Sequence, residues 1–485
     1  MNYKMIWRII ALILLVEIGL MAPGLLISIA LHEKAAVNGF LMSMVIMLAV
    51  SGIMYLASRH ARRGFYAREG FVTTGFTWII MSALGCLPFY FSGAIPSYVD
   101  CLFEMVSGFT TTGSSILTEV ESMAKGLLFW RSFSHWVGGM GILVFLMAIV
   151  RLGGKSQGFS LHILRAESPG PAVGKMTPRI KDTAMILYWI YLGLTVANIL
   201  LLKVGGMTWF EASCTAFGTA GTGGFGVKND SMGSFSPYLQ NVTTIFMLLF
   251  SVNFSIYYLL LLKKFKDVYK DQELRMFICV VLASIGLFVW NVRPLYHTME
   301  ETIRHSAFTV GTLISTTGYG TTDFDKWPAF SKAIILFLMC IGACAGSTGG
   351  GMKQIRVLLL FKNLRRNIHK MLHPSEVRAV RVNGRPVSEE VLDNTNSYLI
   401  AYVLIVIISV LIVSLDGFSV ETNISAVLAT FNNIGPGLDK VGPTLNYSAY
   451  SDLSKLVMTA DMLAGRLEIY PMLILLSKST WKKAR

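Results

Sequence analysis

Long apolar runs recur along the whole chain, and each is long enough to cross a lipid bilayer. A membrane-spanning helix needs about 20 consecutive apolar residues. Runs near that length lie at 7–31, 37–58, 72–92, 130–152, 184–203, 238–262, 275–291, 327–350, 395–415 and 454–477. The pattern predicts about ten membrane crossings. No stretch is left over for a sizeable soluble domain.

Shorter segments separate four pairs of these runs, and each ends at a glycine-containing element. The segments are Tyr98–Phe109, Met207–Gly218, Thr298–Ile314 and Ser419–Phe431. The elements are Thr110-Thr111-Thr112-Gly113-Ser114, Ala220-Gly221-Thr222-Gly223-Gly224, Ser315-Thr316-Thr317-Gly318-Tyr319-Gly320 and Asn432-Asn433-Ile434-Gly435-Pro436-Gly437. One such glycine could simply cap a helix. Four at equivalent positions indicate re-entrant loops, because non-helical backbone at membrane depth must be buried in protein or line water.

The repetition predicts an all-α membrane protein with four pseudo-repeats around one pore. Each repeat consists of a helix, a pore half-helix, a filter loop and a second helix, and an N-terminal pair of transmembrane helices precedes them. The predicted units are 1–66 for the helix pair and 67–155, 156–268, 269–372 and 373–485 for the repeats. The C-terminal ends of the half-helices carry partial negative charge. Pointing at the pore axis, they would stabilise a cation.

Composition and charge placement agree with this fold. The chain is 53% hydrophobic and only 14% charged, whereas soluble proteins are roughly a quarter charged. Its net charge of +14 lies mainly in clusters that alternate with the spans, as cytoplasmic loops do. Both termini are therefore predicted to be cytoplasmic. Nucleic-acid binding would need one continuous basic face, and that class is excluded.

The predicted cation site is formed by residues around the four glycines. A potassium filter needs successive carbonyls facing inward and residues that adopt unusual backbone angles. The element around Gly318 is closest to a potassium-channel filter. In the second repeat the register is open between Gly223 and Gly224, and Gly223 is chosen because it lies three residues after the predicted helix end. The predicted potassium ligands are Thr111, Thr112, Gly113, Ala220, Gly221, Thr222, Gly223, Thr316, Thr317, Gly318, Asn433, Ile434 and Gly435.

The eighth apolar run is interrupted by a glycine-rich stretch, 342–351, with five glycines in ten residues. Each glycine costs a helix about 1 kcal/mol relative to alanine. Unwound backbone at this depth is expected to line the water path. Close helix–helix contact through small residues, or a hinge without direct gating, would also explain the composition.

Several charged residues need an explanation in a membrane setting. Arg466 lies in the last span, where a charge costs at least ~2.5 kcal/mol. If Arg466 faces the pore, it would oppose a passing cation. If it is paired with Glu468 or another acid, it would fix helix packing.

Arg131 and His135 are predicted to be interfacial residues that cap the fourth span. Outer-side acids, predicted to concentrate cations at the mouth or simply to be solvated, are Asp100, Glu104, Glu119, Glu121, Asp230, Asp323, Asp325 and Asp439.

These features together resemble a known family. The four glycine elements, Trp130–Gly141, Ala345–Lys353 and Ala464–Glu468 are similar to those of TrkH-type subunits of bacterial potassium uptake systems, in the Trk/Ktr/HKT superfamily. The resemblance implies a homodimer in the bacterial inner membrane, with one pore per protomer. It also implies cytoplasmic, nucleotide-binding RCK-domain regulatory subunits (TrkA-like). The transported ion would be K+, and this chain itself would bind no nucleotide.

The resemblance also implies a gate inside the membrane. The family uses the glycine-rich loop below the filter for this purpose, which assigns the gate to Gly346, Ser347, Thr348, Gly349, Gly350, Gly351 and, as an electrostatic barrier, Arg466.

Two transport functions remain open on the sequence. The first is a gated, passive potassium pathway. The second is a potassium symporter coupled to sodium or protons, which would need a second site; Asp461 and Glu468 are the main mid-span acids. An enzyme is not expected, because the chain has no His-Glu metal pair, nucleophile elbow or phosphate loop. The basic segment 361–370 is suited to a regulatory partner or to anionic lipid head groups.

Overall fold

A computed structural model describes residues 1–59, 66–141, 180–376 and 378–482, and almost all regular structure within them is helical. The helices are α1 (Tyr3–Ala30), α2 (Lys34–Ala57), α3 (Ala67–Gly85), α4 (Leu87–Phe91), α5 (Tyr98–Phe109), α6 (Lys125–Gly139), α7 (Ile180–Val204), α8 (Trp209–Gly221), α9 (Pro237–Ser251), α10 (Phe254–Leu261), α11 (Phe265–Lys270), α12 (Gln272–Val292), α13 (Met299–Ile314), α14 (Ala329–Ile341), α15 (Gln354–Leu372), α16 (Glu389–Val413), α17 (Val420–Phe431), α18 (Asp452–Arg466), α19 (Tyr470–Leu476) and α20 (Lys478–Trp481). Short 3-10 turns lie at Arg293–Leu295, Phe324–Lys326, Ser414–Asp416 and Asp439–Val441. One small hairpin pairs β1 (Arg381–Val382) with β2 (Arg385–Pro386) in antiparallel register.

Six helical stretches in the described ranges are long and apolar enough to cross a membrane. They are α1, α2, the α3–α4 pair, α7, α12 and α16, and they match the predicted spans at 7–31, 37–58, 72–92, 184–203, 275–291 and 395–415. The α1–α2 pair forms an N-terminal hairpin. Within the hairpin, Ser51 of α2 donates a 2.8 Å hydrogen bond to the Ala11 carbonyl of α1. Both helices pack on the elements that follow, α1 against α3 and α6 and α2 against α4.

The remaining four predicted spans are interrupted. The interruption of the eighth run by its glycine-rich stretch is confirmed, whereas the prediction of continuous helices at 130–152, 238–262 and 454–477 was wrong. Helix α6 ends at Gly139, and the part of its predicted span from 142 to 152 lies outside the described residues. Helices α9 and α10 meet at a 91° bend. Helix α14 stops at Ile341, and twelve residues separate it from α15. Helix α18 stops at Arg466, and the left-handed backbone of Glu468 and Ile469 (φ 56° and 71°) precedes α19.

The four predicted half-helices are present as α5, α8, α13 and α17, within three residues of their predicted bounds. All four begin in the same way. A hydroxyl at the N-cap accepts a hydrogen bond from the backbone amide three residues later: Ser97 from Asp100, Thr208 from Glu211, Thr298 from Glu301 and Ser419 from Thr422. Such caps satisfy amides that the helix itself leaves unpaired. The short helices can therefore begin abruptly and end at a fixed depth.

Candidate cation-conducting site

The segments that follow the four short helices share one backbone conformation. Their first residues are left-handed: Thr111, Thr222, Thr316 and Asn433 have φ of 55°, 58°, 59° and 55°. Two residues later each has a glycine with positive φ: Gly113 (82°), Gly224 (76°), Gly318 (86°) and Gly435 (100°). An L-residue rarely adopts the second of these conformations, whereas glycine does so without a Cβ clash.

Backbone hydrogen bonds repeat with the same register. The residue after each left-handed position donates to a carbonyl five residues earlier: Thr112 to Ser107 (2.9 Å), Gly223 to Gly218 (2.7 Å), Thr317 to Thr312 (2.9 Å) and Ile434 to Ala429 (2.9 Å). This is the Schellman arrangement of a helix C-terminus. The four helix ends are therefore superposable turns rather than four unrelated loops.

This register corrects the assignment in the second repeat. The glycine equivalent to Gly113, Gly318 and Gly435 is Gly224, one residue after the predicted Gly223. Ala220 and Gly221, which the sequence placed among the ligands, form the last turn of α8. The helix ends at Gly221, three residues beyond its predicted end at Gly218, and the left-handed Thr222 that follows it fixes the register at Gly224.

The four segments close into a ring in chain order. A Cβ on Gly113 would overlap the Gly223 carbonyl oxygen; one on Gly224 would overlap that of Thr317, and one on Gly318 that of Ile434. A Cβ on Gly435 would lie 2.8 Å from the Thr112 carbonyl oxygen, which closes the circle. Each glycine is thus in contact with the residue that precedes the glycine of the next repeat. The ring leaves no room for a larger residue at any of the four positions.

Side chains tie the last segment of the ring to the first. The Asn433 amide donates to the Thr112 hydroxyl (2.9 Å) and to the Met462 carbonyl (2.9 Å). The Ser114 hydroxyl donates to the Gly435 carbonyl (3.1 Å), which also accepts from the Tyr447 hydroxyl (2.7 Å). Tyr447 was missed by the sequence reasoning, because it lies in a loop far from any glycine element.

Two buried oxygens at the ring have no hydrogen-bond partner in the part of the chain that the structure describes. They are Thr111 Oγ1 and Asn433 Oδ1, at equivalent positions in the first and fourth segments. Both residues are fully buried. Burying an unsatisfied oxygen is unfavourable, so these atoms fit ligands for a desolvated cation.

Arg131 and Glu104 form an ion pair behind the ring. Their side chains are 3% and 0% exposed, and Arg131 Nε lies 2.6 Å from Glu104 Oε1. Arg131 also donates to the Gly226 carbonyl (3.2 Å), and its guanidinium lies 3.5 Å from the ring centre of Phe225. The predicted interfacial position of Arg131 is therefore wrong, and Glu104 is neither a solvated loop charge nor free to attract cations, as the two alternatives for the outer acids required.

His135 is buried as well, not interfacial as predicted. Its Nδ1 lies 2.7 Å from the Gly108 carbonyl oxygen, and the Phe225 amide donates to its Nε2 (3.3 Å). Two ring nitrogens thus connect the end of α5 to the segment that follows Gly224. The predicted structural role agrees with these contacts, although the location does not.

The glycine-rich stretch between α14 and α15 is a non-helical loop pressed against the ring. It begins at Gly342, whose backbone (φ 70°, ψ −163°) only glycine adopts readily. The Gly350 amide donates to Thr316 Oγ1 (2.6 Å), and a Cβ on the same glycine would touch the Asn432 carbonyl. The loop is therefore in contact with the third and fourth ring segments.

The other side of the loop is bound to neighbouring elements. Thr348 donates through its hydroxyl to the Phe250 carbonyl (3.2 Å), at the bend between α9 and α10. The amides of Ala345 and Ile355 donate to Glu273 (2.7 and 3.2 Å), on α12. Lys353 donates to the Gly349 carbonyl within the loop. Glu273 and Lys353 carry no sequence signal for this role beyond being charged residues beside apolar runs.

Arg466 spans the space between this loop and the first repeat. It donates to the Thr348 carbonyl (2.7 Å), to the Gly139 carbonyl (2.7 Å) and to the Gly138 carbonyl. Glu468, the acid considered as its partner, forms an ion pair with Arg356 of α15. Arg466 is thus held by carbonyl groups from two different repeats at the level of the helix breaks.

This architecture matches a known group of membrane proteins. The sequence profile of TrkH, described as a cation transport protein, matches residues 36–483. The chain belongs to the TrkH family. The predicted family resemblance is confirmed, and with it the expectation that the protein is a transporter rather than an enzyme.

Individual relatives of the TrkH family cover the full chain. "Trk system potassium uptake protein TrkH" of Escherichia coli (strain K12) is 35% identical over 493 residues, spanning 100% of both chains. "Trk system potassium uptake protein TrkG" of the same strain is 31% identical over 469 residues and 95% of each chain. The crystal structure of the potassium transporter TrkH from Vibrio parahaemolyticus superposes with a TM-score of 0.88 at 32% identity, covering 99% of this chain and 100% of that one. The predicted all-α membrane fold is therefore confirmed.

Proposed function

We propose that this protein takes up potassium across the bacterial inner membrane through a gated, channel-like pore that is selective for potassium over sodium. The full-length relatives named as potassium uptake proteins support the transported ion. The closed ring of four equivalent segments is the observation that carries the proposal. Such a ring can surround one ion with backbone oxygens in place of its hydration shell.

The proposed potassium ligands follow the corrected register. They belong to three successive positions in each segment: Thr111, Thr112 and Gly113; Thr222, Gly223 and Gly224; Thr316, Thr317 and Gly318; Asn433, Ile434 and Gly435. The helix C-termini that precede them bring partial negative charge to the same place. Because potassium is the transported ion and not a resident cofactor, it must dissociate quickly from these oxygens.

The proposed gate is the loop from Gly346 to Gly351 together with Arg466. The bond from Gly350 to Thr316 supports this role, because it joins the loop to a filter segment. The bond from Arg466 to Thr348 holds the loop from its other side. For the loop to move away from the ring, both bonds must be released and the bonds from Thr348 to Phe250 and from Ala345 to Glu273 must rearrange.

Assembly and orientation are proposed on the same basis as the ion. The relatives are named as parts of a "Trk system", which supports control of this chain by further subunits. We place RCK-domain (TrkA-like) subunits at the cytoplasmic face, a second copy of the chain beside the first, and both termini in the cytoplasm. The clustering of basic residues in the predicted cytoplasmic loops supports this orientation.

The contacts of the two candidate acids bear differently on ion-coupled symport. Glu468 is paired with Arg356, which disfavours a role as an ion-coupling site. Asp461 accepts a 2.8 Å hydrogen bond from Ser409 of α16 at one carboxylate oxygen, and its other oxygen, Oδ2, is buried without a hydrogen-bond partner among the described residues. A flux assay in liposomes purged of sodium and of a proton gradient separates the two functions. Uptake that persists under these conditions supports the channel-like pathway, and uptake that requires either gradient supports symport.

Replacement of Gly318 tests the ring directly. Gly318→Ser places a Cβ where the Ile434 carbonyl lies, whereas at Gly320 a Cβ would have no neighbour closer than Pro443 at 3.4 Å, an ordinary van der Waals contact. We expect Gly318→Ser to lower the potassium-to-sodium flux ratio in liposomes and Gly320→Ser to leave it near the wild-type value. Unchanged selectivity in a folded Gly318→Ser protein would refute the proposed filter.

A further inference from the structure

An open cleft with a basic lining lies between the end of α15 and the hairpin that leads to α16. Its volume is about 480 Å³, and its lining consists of Lys362, Arg365, Arg366, Arg378, Ala379, Val380 and Arg381. Five of these seven residues are cationic. Neither the ring nor the gating loop includes any of them.

Most of the positive charge in this cleft is not neutralised within the described ranges. Segment 361–385 contains seven Lys and Arg residues and one acid, Glu376. That acid is bonded to His369 (2.8 Å) and interacts electrostatically with Arg378 without forming an ion pair with it. Arg366 is paired with Glu389, and the Lys362 ammonium donates to the Arg381 carbonyl (2.6 Å).

Arg365 and Arg378 differ from the other basic residues of the cleft. Both are exposed, and neither has a hydrogen bond or ion pair to another residue in the part of the chain that the structure describes. Their ten guanidinium donors remain available to a ligand. A planar guanidinium donates in a fork that fits two oxygens of a phosphate, so the chemistry of this cleft favours a phosphate group.

The surroundings of the cleft indicate that the phosphate belongs to a lipid. Helix α15 also carries the exposed apolar side chains Phe361 (69%), Leu364 (58%) and Ile368 (52%). An exposed helix with a basic face and an apolar face is typical of the membrane interface. Helix α16, which leaves the hairpin at Glu389, is the most apolar candidate span, with a mean hydropathy of 2.9. The cleft therefore lies where the chain re-enters the membrane.

We propose that this cleft binds the phosphate head group of an anionic phospholipid of the cytoplasmic leaflet, with Arg365 and Arg378 as the main ligands. Helix α15 connects the site to the gate. At its first turn, Gln354 donates to the Gly342 carbonyl (3.0 Å), at the start of the loop. A lipid held at one end of α15 would thus bias the loop at the other end.

Lipid binding to the purified full-length protein tests this proposal independently of ion transport. The double variant R365Q/R378Q is compared with wild type in nanodiscs of phosphatidylethanolamine with and without phosphatidylglycerol. Native mass spectrometry counts the phosphatidylglycerol retained after release. Each basic residue near a membrane changes attraction to anionic lipid about five-fold, so the double variant should bind about thirty-fold more weakly.

Two further variants make the result specific. K264Q/K266Q removes two charges from another predicted cytoplasmic segment and should retain phosphatidylglycerol. R365K/R378K keeps both charges but loses the guanidinium forks, so it should retain an amount of phosphatidylglycerol between those of R365Q/R378Q and wild type, which also separates loss of binding from misfolding. Equal retention by R365Q/R378Q and wild type would overturn the proposal, as would equal loss in the K264Q/K266Q variant.

The remaining outcomes identify a different occupant. If excess inorganic phosphate displaces phosphatidylglycerol as readily as phosphatidylglycerol itself does, the site takes a free anion and the lipid assignment is wrong. If R365Q/R378Q keeps its lipid but loses co-purifying cytoplasmic subunits, the cleft docks a protein and the proposal also fails. None of these measurements depends on ion flux. Failure of the lipid proposal is therefore distinguishable from failure of the proposed potassium pathway.

Discussion

The backbone amide of Gly350 donates a 2.6 Å hydrogen bond to the hydroxyl of Thr316. One residue belongs to the loop that interrupts the third repeat, and the other holds the left-handed position of the filter segment in the same repeat. Its counterpart Thr111 has a hydroxyl oxygen without a hydrogen-bond partner among the described residues. One of these otherwise similar ring positions is therefore occupied by the loop, and this asymmetry can be tested.

We expect Thr316→Val to raise resting potassium flux. Valine keeps the β-branched shape but removes the acceptor for Gly350. A neutral hydrogen bond contributes about 0.5–1.5 kcal/mol, so the open population should rise about two- to twelve-fold. Rubidium or potassium uptake into liposomes, without regulatory subunits, measures the change.

Thr111→Val is the matched control for this variant. It removes a hydroxyl from the equivalent ring position without touching a bond to the loop. Any effect on ion binding should appear in both variants, and the gain in resting flux should appear only in Thr316→Val. Equal flux in the two variants would show that the bond between Gly350 and Thr316 does not hold the gate.

The four short helices could be located from the sequence because local signals define both of their ends. Hydroxyl-bearing caps such as Ser97 and Thr208, three residues before Asp100 and Glu211, mark the starts. Glycines mark the ends. Each signal acts within one helical turn, so no knowledge of the rest of the fold was needed.

The helix breaks could not be predicted, because their causes lie in other parts of the chain. The bend before α10 is stabilised by the Phe254 amide, which donates to the Gly346 carbonyl (3.0 Å) nearly 100 residues away. Hydropathy alone gives one continuous span there. Only the loop after α14 could be predicted, since five glycines weaken a helix without any tertiary contact.

The register of the proposed filter and the positions of the buried charges could not be predicted for the same reason, because both depend on contacts with distant parts of the chain. Gly223 and Gly224 are adjacent glycines, and only the end of α8 at Gly221 decides between them. Arg131 and Glu104 are 27 residues apart, so their pairing depends on how α5 packs against α6. From the sequence, the position of Arg131 beside an apolar run indicated the membrane–water interface. In the structure its side chain is buried in the protein interior.

Arg466 offers a second test of the gate. Arg466→Ala removes donors to Thr348, Gly138 and Gly139. Hydrogen bonds from a charged donor contribute about 1.5–3 kcal/mol each. We therefore expect resting flux to rise by about ten-fold or more, measured by rubidium uptake.

Arg466→Lys separates the two possible contributions of this residue. Lysine keeps the positive charge but cannot reach the carbonyl groups of both repeats with one planar group. If the residue acts mainly by holding the loop, Arg466→Lys should be nearly as leaky as Arg466→Ala. Wild-type flux in Arg466→Lys would indicate an electrostatic barrier instead. Reduced flux in folded Arg466→Ala protein would favour a packing role.

Asp439 should contribute to stability in a pH-dependent manner. Its carboxylate accepts hydrogen bonds from Thr422 and Ser419 at the start of α17, and these bonds lower its pKa below the ordinary value of 3.8. The stabilisation is present above the unfolded-state pKa and is lost as the pH falls through the lower folded-state value. The melting-temperature difference between wild type and Asp439→Asn should be constant from neutral pH to about pH 5 and shrink below about pH 4. A difference that is unchanged at low pH would contradict this assignment.

Breaking the buried pair of Glu104 and Arg131 should cost more stability than breaking a surface pair. Glu104 also accepts from the Ile116 amide (3.0 Å), and Arg131 donates to the Gly226 carbonyl (3.2 Å), so the pair ties together the chain just after two filter segments. Glu104→Gln leaves a buried guanidinium without its counter-charge, which should cost about 3–5 kcal/mol of unfolding free energy. Chemical denaturation in detergent measures the loss.

The exposed pair of Lys332 and Glu421 is the control for this prediction. Its atoms are 3.4 Å apart and the Glu421 side chain is 50% exposed, so Glu421→Gln should cost only about 0–1 kcal/mol. The double variant E104Q/R131M should recover part of the loss, because it removes the unpaired charge as well as the pair. If Glu104→Gln and Glu421→Gln lost the same unfolding free energy, the buried ion pair would contribute no more to stability than the exposed one, and the prediction would be wrong. If the double variant were less stable than Glu104→Gln, the bond from Arg131 to Gly226, rather than the ion pair, would be what holds the two filter segments together.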